Sequence, residues 1–167
     1  MAVTRLSDVT DLVKQALNEP RLAFTKILKL ATSEDWRERE VAASILVESS
    51  KKHPEAIITE MIRWADHEDP NLRRTASEGL RHVARRKPET VLPVLVRLKA
   101  DANLYVKKSV ANVLRNAGNY QPEFVLSVCA EWAKDRNPDT AWIIKDALRK
   151  LKAKYPEQVQ KITTTAG

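Results

Sequence analysis

A chain of 167 residues with 43% apolar and 31% charged side chains has the material for one cored domain, and its balance excludes a disordered polymer. The lone cysteine, Cys129, excludes an internal disulfide and a thiolate metal cluster, while the net charge of +7 points to an anionic partner without naming one. The longest apolar run, Val91 to Val96, is far too short to cross a bilayer and the opening MAVTRLSDVTDL lacks the apolar stretch of a secretion leader, so the chain is read as soluble, cytoplasmic and independent of membranes.

From the N-terminus, RLSDVTDLVKQALN (5–18) places Leu6, Val9, Leu12, Val13 and Leu17 at helical spacing, with Ser7 or Asp8 as the cap. Pro20 then opens a second helix carrying Leu22, Phe24, Ile27, Leu28 and Leu30. From here the punctuation repeats. Prolines stand at 20, 54, 88, 122 and 156, always 34 apart, and the same step joins Leu12, Leu46, Leu80, Leu114 and Leu148. Each of these prolines starts a strongly apolar leading helix, for example Ile57, Ile58, Met61, Ile62 and Trp64, or Phe124, Val125, Leu126, Cys129 and Trp132. Cys129 falls at the position held by Ile27, Met61 and Leu95 in other units, which predicts a buried structural thiol. Partner helices follow the polar turns SED, HEDPN, KADAN and DRNPD and are predicted over about 35–50, 71–85, 103–116 and 139–153.

A fixed period in the range of 20–50 residues marks a solenoid, whose units bury their apolar sides only by stacking. Tetratricopeptide repeats share the 34-residue period, but their packing code would need leucine and a small residue where Arg63 and Trp64 stand, and its glycine is missing from every unit. The expected fold is therefore all-α, a HEAT-like helical-repeat solenoid forming one domain over 1–162, with 163–167 as a flexible C-terminal tail.

Each partner helix has two faces. Ala76, Gly79, Leu80 and Val83 form an apolar stripe on one, as do Val106, Val110, Val113 and Leu114 on the next. Opposite lie Arg74, Glu78 and Arg81, then Lys108, Asn112 and Arg115, then Trp142, Asp146 and Arg149, and superposed repeats set these triplets side by side in one strip. Across 71–87, 103–118 and 141–155 there are 14 basic side chains against 2 acidic ones, more than the whole chain's excess, so the positive field is one-sided. That segregation fits either an ordinary solvated helix face or a groove tracking a nucleic-acid phosphate backbone, with Arg39, Arg73, Arg74, Arg81, Lys107, Lys108, Arg115, Lys145 and Arg149 as the candidate phosphate-binding residues. Glu78 and Asp146 oppose phosphate binding. Two explanations stand open: pairing with Arg74, Arg81, Lys145 or Arg149 at helical spacing, or service to a cationic part of a ligand. No metal cluster, nucleophile dyad or glycine-rich phosphate loop competes, and no cofactor or metal is expected. His53, His67 and His82 read as surface residues.

IRWADHEDPNLRRTASEGLRH (62–82), LYVKKSVANVL (104–114) and NPDTAWIIKDALRKL (137–151) resemble the AlkC/AlkD superfamily of DNA alkylation-repair glycosylases, built of HEAT-like repeats, and lie closest to its AlkC side. The resemblance implies excision of N3- or N7-alkylated purines, with a basic groove for the backbone, aromatic faces for the cationic nucleotide and a carboxylate facing an oxocarbenium-like sugar. On the AlkD-like pattern Trp36, Glu40 and Arg74 take the places of aromatic, acid and arginine, with Glu where Asp is expected. Asn112 stands where a second tryptophan would be, and Trp142 with Asp146 forms a further aromatic–acid pair. Glu78, Asp146 and Glu40 are thus the candidate catalytic acids, and Trp36, Trp142 and Asn112 the base-facing residues. The competing expectation is a non-catalytic HEAT-repeat scaffold that binds an acidic protein; either way the protein is expected to be a monomer.

Overall fold

The computed structural model describes residues 6–167; the expected helix start at Arg5 and the first residues of the stretch searched for a leader lie outside them. Eleven helices and no strand occur among the described residues: α1 (Leu6–Asn18), α2 (Pro20–Ala31), α3 (Trp36–Lys52), α4 (Pro54–Ala65), α5 (Pro70–Glu78), α6 (Arg81–Arg86), α7 (Pro88–Leu98), α8 (Leu104–Gly118), α9 (Pro122–Ala133), α10 (Pro138–Leu148) and α11 (Pro156–Ala166).

The two helix types begin by different devices. Proline is the first residue of α2, α4, α7, α9 and α11, where its missing N–H costs nothing because that donor has no partner within the helix. Partner helices α3, α5, α8 and α10 are marked by side-chain caps, Asp35, Asp69, Asn103 and Asn137, again 34 apart, whose oxygens accept from Arg37 N–H (2.9 Å), Asn71 N–H (2.8 Å), Tyr105 N–H (3.0 Å) and Asp139 N–H (2.9 Å); α5 and α10 open on a proline as well. One capping side chain and one period-34 proline per repeat mark the helix starts from α2 onward, except that of α6, which begins at Arg81 with neither.

Packing follows in two layers. Each leading helix lies against the partner helix before and after it, and the partner helices form their own continuous layer, α1 on α3, α3 on α5 and α6, these on α8, and α8 on α10. Leu46, Leu80, Leu114 and Leu148, the in-phase leucines, are all buried. So is Cys129, whose thiol is pushed up to about 12 by desolvation and is kept unreactive. Buried hydroxyls tie the layers: Ser49 donates to the Ala16 carbonyl (2.6 Å) and Thr140 to that of Lys99 (2.7 Å). His53 is half-buried, its Nε2 2.8 Å from the Leu17 carbonyl oxygen, and so is no surface residue.

Three boundaries differ from expectation. The helix expected over 71–85 is broken between α5 and α6, because a Cβ on Gly79 would stand 2.8 Å from Leu46 Cβ; the chain passes α3 closely there and rewinds. The helix expected to reach 153 ends at Leu148 and passes through turns to Tyr155, whose φ of −128° and ψ of 55° are non-helical ahead of Pro156. The expected tail at 163–167 instead carries the last turn of α11, with Ala166 buried.

Candidate nucleic-acid interface

The outward side of the partner layer carries the strip. Between α5, α8 and α10 it sinks into a cleft of about 420 Å³ lined by Arg74, Glu78, Tyr105, Lys108, Ser109, Asn112, Arg115, Trp142, Asp146 and Arg149. The structure therefore unites all three predicted triplets except Arg81, which stands at the start of α6 and reaches back to Glu78. Trp36 and Glu40 lie further along, on α3.

Every candidate acid meets an arginine. Arg74 donates to Glu40 at 2.6 Å across one full repeat, and Arg81 to Glu78 at 3.3 Å. Asp146 is held twice: by Arg115 of the preceding partner helix at 2.9 Å, and by Arg149 of its own at 3.3 Å. Arg115 also donates to the Asp146 carbonyl (3.1 Å) and to Asn112 Oδ1 (3.0 Å), so Asn112 orients a guanidinium rather than standing free to face a base. Glu78 is the most enclosed of the three candidate acids, its side chain 10% exposed, against 23% for Asp146 and 41% for Glu40.

The nine predicted phosphate-binding cations separate into two groups. Arg39 donates to the carbonyls of Ser33 (2.6 Å) and Glu34 (2.9 Å); its repeat equivalent Arg73 donates to those of His67 and Glu68 and to Asp101 at 2.7 Å. Lys107, one period later, pairs with Asp139 at 2.7 Å, and Arg115 is only 11% exposed. These four brace turns and neighbouring repeats, and their charges are spent inside the protein; the sequence, which ranks cations only by face, groups them with the rest. Lys108, Lys145 and Arg149 are exposed, while Arg74 and Arg81 are half-buried beside their acids. These five can reach an anion.

Aromatic groups flank the strip. Trp36 is 60% exposed at the first turn of α3, with the Arg37 guanidinium 5.6 Å from its ring centroid. The Lys107 ammonium stands 5.6 Å from the Trp142 ring. Tyr105 was not singled out by sequence; it is exposed, lines the cleft and carries Lys108 at 5.7 Å from its centroid. Its signal was its spacing, three and four residues before Lys108 and Ser109 on the same helical face. Among the described residues no three His, Cys, Asp or Glu side chains are grouped to hold a metal, and no helix is long and apolar enough to cross a membrane.

A stacked, capped helical pair repeated along the chain defines a HEAT-type solenoid, and the family model described as HEAT repeats matches residues 24–115. The chain belongs to the HEAT-repeat family. No curated protein matches it by sequence. Among solved structures, Pseudomonas fluorescens alkylpurine DNA glycosylase AlkC, bound to DNA containing an abasic site analog, superposes with TM-score 0.65 and 27% identity over 97% of this chain and 52% of its own. AlkD2 from Streptococcus mutans gives 0.70 and 25% over 85% of this chain and 70% of its own, and smu.31 from Streptococcus mutans UA159 shares the fold at 0.59 and 21%. The protein is thus an AlkC/AlkD-like HEAT-repeat protein, and it spans about half the length of AlkC.

Proposed function

We propose that the protein acts in DNA alkylation repair, binding double-stranded DNA along the partner-helix strip and releasing N3- or N7-alkylated purines with Asp146 as the working carboxylate. The observation that carries this reading is the cleft in which Trp142, Asp146, Lys108 and Arg149 line one space, an aromatic face and an acid among cations. Lys108, Lys145, Arg149, Arg74 and Arg81 hold the backbone through phosphates. Trp142 offers a π face to the positively charged base. When the glycosidic C1′–N bond breaks, its electron pair leaves with the base and neutralises it, and positive charge develops on the sugar. Asp146, fixed by Arg115 and Arg149, faces that charge, and water adds at C1′ while giving up its proton. Glu78 is too enclosed for this role, and Glu40 lies outside the cleft, bound to Arg74.

The test is release of 3- and 7-methylpurines from methylated DNA. The wild type is expected to release them and Asp146→Asn to lose on the order of 10²-fold in rate, by analogy with other electrostatic stabilisers, with DNA affinity equal or slightly higher. The pairing of all three acids with arginines favours a second reading, a non-catalytic scaffold for an acidic protein. Absence of base release by the folded wild type, with duplex DNA failing to compete for the protein partner, would establish that alternative instead.

A further inference from the structure

A second concavity, about 950 Å³, lies between α10 and α11 at the C-terminal end of the stack, adjoining the strip cleft and sharing Trp142 and Arg149 with it. Its floor is apolar, formed by Leu148 and Val159 with the prolines that open the two helices. Trp142 stands in its wall, and Lys145, Arg149 and Lys152 surround it with no Asp or Glu side chain in the lining. The contrast with the strip cleft is chemical: there each acid cancels an arginine, whereas Lys145 and Lys152 are exposed and make no ion pair among the described residues. Lys107, the cation over the Trp142 ring, belongs to α8, and no residue of α8 lines this space.

An apolar floor, an aromatic wall and a rim with two exposed lysines beside the Asp146-paired Arg149 match one ligand chemistry, a planar heterocycle bearing a phosphate. In duplex DNA the bases are stacked and their faces hidden, so only an unpaired nucleotide presents both parts together. A single base stacked on an aromatic side chain contributes about 1–3 kcal/mol without regard to its identity, and lysines and arginines track the adjoining phosphate. An acidic peptide could use the cations but would leave the Trp142 wall and the apolar floor unmatched. We infer that the α10–α11 pocket binds an unpaired nucleotide at the single-stranded end of a nucleic-acid strand, so that the protein recognises a junction between duplex and single strand. The inference rests on the reading of the strip as a DNA surface only in that the duplex side of the junction would lie there.

The experiment compares three oligonucleotides by fluorescence anisotropy: a blunt 12-base-pair duplex, the same duplex with a three-nucleotide 3′ overhang, and the same with a 5′ overhang. An overhang of one polarity is expected to tighten binding about tenfold, the equivalent of about 1.4 kcal/mol, and to quench tryptophan emission in a way that Trp142→Phe weakens. Lys152→Ala, and separately Gln160→Glu, which places an acid on the rim, should each remove most of that gain while blunt-duplex affinity stays within about twofold; both positions are exposed, so folding is preserved. Equal affinity for blunt and overhanging duplexes, or a gain that survives both substitutions, overturns the pocket assignment and leaves the proposed duplex binding untouched. Binding of the overhang strand with no blunt-duplex binding removes the duplex reading of the strip and keeps the pocket.

Discussion

Asp146 and Arg115 show what a single residue's neighbours decide. At 31 residues apart, they are joined by an ion pair that crosses from one repeat to the next, as Glu40 and Arg74 are at 34. From sequence, Asp146 had Lys145 and Arg149 nearby and no reason to select Arg115, because charges in a repeat array always offer several partners at near-equal spacing. The strip's membership was legible from the 34-residue step; its pairing was not, since that depends on side-chain reach across the layer. Burial was misjudged for the same reason at Arg39, Arg73 and Lys107, which face outward by phase but fold back onto carbonyls or a neighbouring acid. His82 supplies a prediction at this scale. Desolvation first, then Lys51, Arg86 and Arg85, lowers its pKa below the usual 6.5. The unfolded chain therefore binds a proton more readily than the folded one, so this contribution is favourable above about pH 6.5 and is lost as pH falls from there toward the folded pKa. Denaturant midpoints at pH 7.5 and 5.5 should differ more for the wild type than for His82→Gln; equal differences would remove His82 from the pH response.

Helices were readable where each carries its own start signal. The period-34 prolines and the Asp or Asn before each partner helix act locally, through a missing N–H or a side-chain acceptor, and need no tertiary information to be recognised. The break between α5 and α6 lacks such a signal: Gly79 occupies an apolar-stripe position where Ile45, Val113 and Ala147 stand in other repeats, and only its approach to Leu46 explains it. Gly79→Ala must push α3 and α5 apart or distort Leu46, and is expected to cost about 1–3 kcal/mol, the usual penalty of an overpacked core. Chemical denaturation with an unchanged m-value would measure it. Stability equal to the wild type would mean that the two helices yield freely, and that glycine is not what breaks the helix.

At the scale of the molecule, the two layers divide the labour. Leading helices supply apolar mass, while partner helices add to their share of the core a polar face that the 34-residue step aligns into one surface. A fixed repeat makes a weak local preference additive, which is how 14 basic side chains against 2 acidic ones come to lie on three consecutive partner segments. Of the nine cations predicted to bind phosphate, Arg39, Arg73, Lys107 and Arg115 are turned onto carbonyls or acids of the protein, and five remain that can reach an anion. The measurement that bears most directly on DNA binding along this surface is the dependence of duplex affinity on salt. If Arg74, Arg81, Lys108, Lys145 and Arg149 each meet one phosphate, log K should fall against log salt with a slope of about −0.9 per contact, roughly −4 to −5 in all. Lys108→Ala with Arg149→Ala should flatten that slope by about 2, whereas Lys107→Ala, whose side chain is only 13% exposed where Arg149 is 60% exposed, should leave it in place. A wild-type slope near zero, or one that the double substitution does not change, would contradict DNA binding along the partner-helix strip.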